Sequence, residues 1–439
     1  MRSPAIAAGT VHEVLARYML VDGPHLVVDL ERSRGARIRE ASTGEEYLDF
    51  FGSYSTSALG FNHPALREPE FLAELVSAAV NKITNSDLYS ESLARFVATF
   101  ASTLPETLSR HLFFIEGGAL AVENALKAAF DWKRRLNIAA GRAAAGSQVI
   151  HFRDAFHGRS GYTLSLTNTD RVKIEHFPKF SWPRVTNPAL TFPIDDQVLE
   201  AVRRAEGQSL AEIQRAIVEN PHDIAALIIE PIQAEGGDHH FRPEFLRRLR
   251  EIADESELLL IFDEVQTGFG TTGRWWCFEH FGVEPDIVAF GKKTQVCGIA
   301  ASARLDLVDS VFEVPSRINS TWGGHLADMV RCRRQIEVIR EQRLFDNVVA
   351  VGQRLLNGLQ RLSERLPALV SNPRGSGFFL AFDLPDATVR DLVLRRLRDV
   401  RLLALPTGRR GIRFRPPLIL SEREADEGLE LCERALRTV

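Results

Sequence analysis

Between residues 111 and 293 the chain repeats one pattern: a short apolar run, then a longer stretch of mixed polarity. The runs are HLFFIE (111–116), SQVIHFRDAF (147–156), YTLSLT (162–167), IAALIIEPI (224–232), LLLIFDEV (258–265) and DIVAFGKK (286–293). They are continuous rather than alternating, which predicts strands buried on both faces of a mostly parallel sheet covered by helices. Helical spacing of apolar residues appears in FLAELVSAAVNKI, SESLARFVATFASTL, AVENALKAAFDWKRR and ADMVRCRRQIEVIREQRL. Near the start, VHEVLARYML predicts a helix. ARIREASTGEEYLDFFG predicts two strands around the turn Thr43-Gly44. Two late strands, GFFLAFDL and IRFRPPLIL, lie among helices after residue 325. The predicted fold class is α/β, a large domain with a mostly parallel sheet plus a smaller α+β C-terminal domain. The expected boundaries are an N-terminal segment 1–64 packing with the small domain, a large domain 65–325 and a small domain 326–439.

A chain of 439 residues is too long for one simple core, in keeping with two or three units. The formal charge of −4 supplies no basic field, so no nucleic-acid partner is expected. No apolar run approaches a bilayer's width, so no membrane partner is expected either. The segment MRSPAIAAGTVHEVLARY lacks the apolar core of a signal peptide. Cys277, Cys297, Cys332 and Cys432 are scattered, without a CxxC pair; they read as small buried apolar residues in a reducing, cytoplasmic setting. There is no HExxH motif. The adjacent His239-His240 reads as a solvated loop, and no metal site is expected. Gly268, Gly270 and Gly273 spell GxGxxG, but four residues separate the apolar run from the loop, and Asp263 and Glu264 would repel a pyrophosphate. A flexible loop explains them better than a dinucleotide site.

Ligands of open α/β sheets sit beyond the carboxyl ends of the strands. The polar residues collected there form a set. Gly117, Gly118 and Ala119 lie between a strand and a helix, where free N–H groups and the helix dipole suit a phosphate. Phe156, in the run Phe156-His157-Gly158-Arg159, can stack on a planar ring. Glu230 and Glu235 follow one strand, Asp263 and Gln266 another. A buried carboxylate such as Asp263 can hold a pyridine nitrogen protonated. Lys292 and Lys293 end DIVAFG, and a lysine there can form a Schiff base with an aldehyde. Each residue alone is ordinary; their joint placement points to an aromatic phosphate cofactor.

EGGALAVENALKAAF, FHGRSGYTLSLT, EPIQAEGG, IFDEVQTGFGTTG, PDIVAFGKK, NSTWGG and IRFRPPL, in this order, resemble the class III aminotransferases along nearly the whole chain. That resemblance implies the PLP-dependent transferase fold type I, pyridoxal 5′-phosphate (PLP) as cofactor and a homodimer with shared active sites. Lys292 would carry the cofactor and shuttle the substrate's proton. Asp263 would pair with the pyridine nitrogen, Gln266 would lie near the phenolic oxygen and Phe156 would stack on the ring. Gly118 and Ala119 would hold the phosphate, and Ser320 and Thr321 would reach the neighbouring subunit's phosphate. Glu230 belongs to the same cofactor set. The strand before Lys292 aligns without a gap, which favours it over Lys293.

Within the family, GKKTQVCG, SRINSTWGG and FHGRSGYTLSLTNT are similar to the branch acting on the terminal amine of L-lysine, with 2-oxoglutarate as acceptor. Ornithine, 4-aminobutyrate or a diamine is the alternative donor. The family pattern implies that Arg159 binds the distal carboxylate of either substrate and Arg413 the α-carboxylate of glutamate. Glu235 would neutralise Arg413 while lysine is bound. Arg415 is expected on the opposite face of the strand.

Overall fold

The computed structural model describes residues 6–439; the first five residues of the N-terminal segment lie outside the described residues. In chain order the strands are β1 (Arg37–Arg39), β2 (Glu46–Asp49), β3 (His111–Ile115), β4 (Gln148–Phe152), β5 (Arg184–Val185) and β6 (Ile224–Ile229). Next come β7 (Ile232–Gln233), β8 (His239–His240), β9 (Leu259–Asp263), β10 (Ile287–Phe290) and β11 (Cys297–Ala301). The last are β12 (Ser371–Ser376), β13 (Phe379–Asp383), β14 (Leu402–Leu403), β15 (Leu405–Thr407) and β16 (Gly411–Phe414).

The central sheet has the order β3-β11-β10-β9-β6-β4-β5. β4, β5, β6, β9 and β10 pair in parallel. β11 alone runs antiparallel, between β10 and β3. Every residue of β6, β9 and β10 is buried, as their unbroken apolar sequence requires. The helix Gly118–Ala139 covers one face. Its Val122, Ala125, Leu126 and Ala129 pack with Ile228, Ile261, Ala289 and Ile299. The opposite face carries Leu227, Leu260, Phe262 and Phe290 in the main core. Each such side chain stabilises the fold by about 1.5–3 kcal/mol.

A second, antiparallel sheet, β12-β13-β16-β15, is built from residues 371–414. The N-terminal hairpin β1-β2 forms around Thr43-Gly44, and β14 adds to it in parallel beside β2. The early and late parts of the chain thus share one small sheet.

Several local expectations fail for identifiable reasons. YTLSLT is not a strand but part of the helix Gly161–Leu166. Ser160 caps it with Thr163 in a reciprocal pair, and Glu123 accepts from Ser160 Oγ at 2.8 Å and Thr163 N at 3.1 Å. Capping overrides the β-branched, apolar composition. His239-His240 is not a solvated loop: it forms β8, half-buried against β7, and His239 Nδ1 meets Gln233 Oε1 at 2.9 Å. The GxGxxG loop is packed rather than loose. A Cβ at Gly270 would meet Phe345 at 2.8 Å, and one at Gly268 would meet Trp276 at 2.9 Å. All four cysteines are buried and unpaired.

Candidate active site

A cavity of about 490 Å³ opens at the carboxyl ends of β4, β6, β9 and β10. Gly118, Ala119, Phe156, Arg159, Glu230, Glu235, Asp263, Gln266 and Lys292 line it. These residues come from separate strand ends and are brought together by the parallel sheet. Arg413 stands behind the wall and joins it through Glu235 and Gln266. Ser320 and Thr321 do not line the cavity; Ser320 is half-buried and Thr321 exposed, and the Ser320 carbonyl accepts from Ser86 Oγ at 2.6 Å.

One end of the cavity is the start of the helix Gly118–Ala139. Gly117 precedes it at φ +98°, no side chain caps it, and no acidic residue occupies its first turn. Uncapped N–H groups facing a cavity form an anion site. Gly158 has φ +121°, and a Cβ there would lie 2.5 Å from the Ala119 Cβ. Only glycine lets the loop after β4 approach this helix start.

At the end of β9, Asp263 is buried and its Oδ2 accepts from His157 Nδ1 at 2.8 Å. Asp263 Oδ1 accepts from Val265 N at 3.1 Å. The imidazole leaves the carboxylate fixed in the floor. Glu230 receives Phe156 N and Ala234 N, both at 2.9 Å, so it clamps the loop that presents the Phe156 ring. Burial, reinforced by Asp263, raises the Glu230 acid to about 7.

The two lysines after β10 part company. Lys292 lines the cavity with φ +52°. Burial, then the neighbouring Arg413, lower its ammonium to about 8. Lys293 turns away and is buried, donating to Ser55 Oγ at 2.9 Å and Ser55 O at 3.2 Å.

Glu235 joins two cations. Arg413 Nη2 lies 2.6 Å from Oε2, and Lys173 Nζ lies 2.6 Å from Oε1. Burial would raise the Glu235 acid, but Arg413 and Lys173 outweigh it and hold it at about 2. Arg415 is not on the opposite face from Arg413. Both reach Gln266 Oε1, at 3.3 Å from Arg413 and 3.2 Å from Arg415. A spacing of two keeps side chains on one side of a strand. Arg415 is instead committed to Asp238 at 2.7 Å and to the face of Phe379.

His157 and Lys173 carry no role in the sequence reading. His157 sits in a run already singled out, and its pairing with Asp263 becomes visible only when β4 and β9 are brought to one end of the sheet. Lys173 ends a single 3₁₀ turn, Arg171–Lys173, without any pattern that marks it.

The uncapped helix start, the buried carboxylate, the aromatic face and the cavity amine suit a phosphorylated, protonated pyridine aldehyde. Residues 18–436 match the Aminotransferase class-III family. The chain belongs to that family and is a PLP-dependent transaminase of fold type I. It is 53% identical over 432 residues to the L-lysine-epsilon aminotransferase of Mycobacterium tuberculosis, covering 98% of this chain and 96% of that one. The enzyme of the same name from Streptomyces clavuligerus is 47% identical over 435 residues, covering 98% and 95%. A solved lysine aminotransferase from M. tuberculosis superposes with a TM-score of 0.96 at 52% identity, covering 99% of this chain and 100% of that one.

Proposed function

We propose that this transaminase moves the terminal amine of L-lysine to 2-oxoglutarate, giving 2-aminoadipate 6-semialdehyde and L-glutamate. The observation that carries this reading is the 2.6 Å ion pair between Glu235 and buried Arg413. One site must accept a donor with no carboxylate near the reacting carbon, then an acceptor with one there. A buried, unpaired guanidinium would penalise the first; a permanently occupied one would exclude the second. A carboxylate that covers Arg413 and can leave it meets both demands. The relatives named L-lysine-epsilon aminotransferases support the choice of donor.

PLP, when bound, supplies the electron sink that makes the carbon bearing the amine acidic. The Asp263 carboxylate would hold the pyridine nitrogen protonated, and His157 fixes that carboxylate. Lys292, with a depressed ammonium, would take the proton from the donor's terminal carbon and deliver it to the cofactor, the shift that leaves the amine behind. Arg159 at the rim grips the far carboxylate of either substrate with its planar fork. Arg413 takes the near carboxylate of 2-oxoglutarate after Glu235 leaves it.

The working unit is a homodimer in which Ser320 and Thr321 close the partner's phosphate site; their position outside the cavity of a single chain, with Thr321 exposed, supports this. Among the described residues no helix is long and apolar enough to cross a membrane. Four unpaired cysteines suit a cytoplasmic setting.

The test is a panel of lysine, ornithine, 4-aminobutyrate and diamines with 2-oxoglutarate, with the aldehyde product identified. Lysine should be the preferred donor. Preference for any other overturns the substrate assignment. Separately, Glu235→Ala should slow the lysine half-reaction more than the glutamate one; equal loss removes the switch.

A further inference from the structure

Glu235 has two partners that differ sharply in position. Arg413 is sunk in the wall at 1% exposure, whereas Lys173 stands toward the rim at 24%, close to Glu235 itself at 26%. The Glu235 main chain is anchored, its carbonyl accepting from Gly408 N at 3.0 Å. Only the side chain is free to turn. The Lys173 ammonium also lies 5.5 Å from the centre of the Phe156 ring, a residue that lines the cavity. Its segment, Arg171–Lys173, is capped by Asp170, which accepts from Val172 N at 3.1 Å.

We infer that Lys173 is the second berth of Glu235, a positioning residue that receives the carboxylate when Arg413 turns to a substrate carboxylate. The inference rests on the proposed two-substrate function and deepens it. A half-buried carboxylate released by its guanidinium would otherwise stand without a counter-charge, which disfavours its release. With Lys173 already 2.6 Å from the other oxygen, the carboxylate never loses its counter-charge. The exchange becomes a rotation between two cations, not a departure into solvent. Without Lys173, Arg413 would be the sole partner, and opening the site to a dicarboxylate would cost more. The lysine half-reaction, which needs Glu235 on Arg413, depends less on Lys173.

The experiment uses holoenzyme carrying Lys173→Gln, Lys173→Met or Lys173→Arg. Glutarate, a dicarboxylate without the reactive carbonyl, is titrated by calorimetry, and the two half-reactions are followed separately by single turnover. Lys173→Gln should weaken glutarate binding and raise the KM for 2-oxoglutarate by about fivefold, the scale of a partly exposed ion pair. The change in the lysine half-reaction should be smaller, and Lys173→Arg should restore glutarate affinity. Lys173→Met keeps the stem and removes the charge, and it serves where the Gln variant folds poorly. Unchanged glutarate affinity in the charge-less variants overturns the inference. So does equal loss in both half-reactions that Lys173→Arg does not relieve. Failure of the unsubstituted enzyme to use lysine overturns the substrate assignment instead, and the glutarate titration still judges Lys173.

Discussion

Lys292 shows how much one residue's neighbours decide. An ordinary lysine is almost fully protonated at neutral pH and a poor nucleophile. Here burial and Arg413 bring it to about 8. In the apoenzyme, capture of PLP should therefore accelerate about tenfold per pH unit below that value and level off above it. A capture rate measured against pH checks this, and Arg413→Ala should move the break upward because a repelling cation is gone. Borohydride reduction followed by peptide mapping should place the pyridoxyl group on Lys292. Recovery on Lys293 would overturn the assignment while leaving the enzyme class intact. The chain itself offers two adjacent lysines; only the fold buries one against Ser55 and leaves the other in the cavity. The same holds for Arg413 and Arg415, which share a side of the strand and are distinguished by Asp238, a residue from a distant loop. Lys173 was illegible because its meaning lies wholly in a contact across 62 positions of sequence.

At the scale of elements, the site depends on how closely the loop after β4 approaches the helix Gly118–Ala139. Gly158→Ala would place a methyl group 2.5 Å from Ala119 at a φ of +121°. Backbone strain of about 1–3 kcal/mol is expected there. The loop would be pushed off the helix start, so the variant should bind PLP more weakly while melting nearly as the parent does. Equal cofactor affinity would show that the close approach has no part in holding the phosphate. Most strands were readable because residues buried on both faces leave an unbroken apolar signature. β11 was not: Cys-Gly-Ile-Ala-Ala is short and made mostly of small residues, and it runs against its neighbours. The helix 161–166 was misread because its cap partner, Glu123, comes from another element.

For the whole molecule, a buried ion pair and buried hydrogen bonds tie the late sheet to the turn between β7 and β8. Arg415 and Asp238 are both essentially inaccessible and 2.7 Å apart, and Arg374 donates to the carbonyls of Gly237 and Asp238. Asp238→Ala leaves a buried cation unpaired and should lower unfolding stability by about 3–5 kcal/mol, measurable by denaturant titration. A loss well below that would mean the guanidinium finds another partner. Glu264 gives the chain a pH signature. Burial raises it from 4.5 to about 7, against the pull of the Cys277 and Phe278 amides. The folded state binds this proton more tightly than the unfolded one. Its contribution is therefore complete below 4.5 and is lost as pH rises toward 7. Melting temperature followed from pH 4.5 to 7 should fall more in the parent than in Glu264→Gln; parallel curves would contradict this.

The three-stranded sheet of β1, β2 and β14 has a consequence for synthesis of the chain. As the polypeptide leaves the ribosome, β2 is made early, with one edge open, and the strand that covers that edge emerges only when most of the protein exists. For that interval the hairpin presents unpaired backbone groups, the condition under which nascent chains pair with one another. Slow translation of the final quarter would prolong this exposure, so yield of soluble enzyme becomes a matter of tempo as well as of stability.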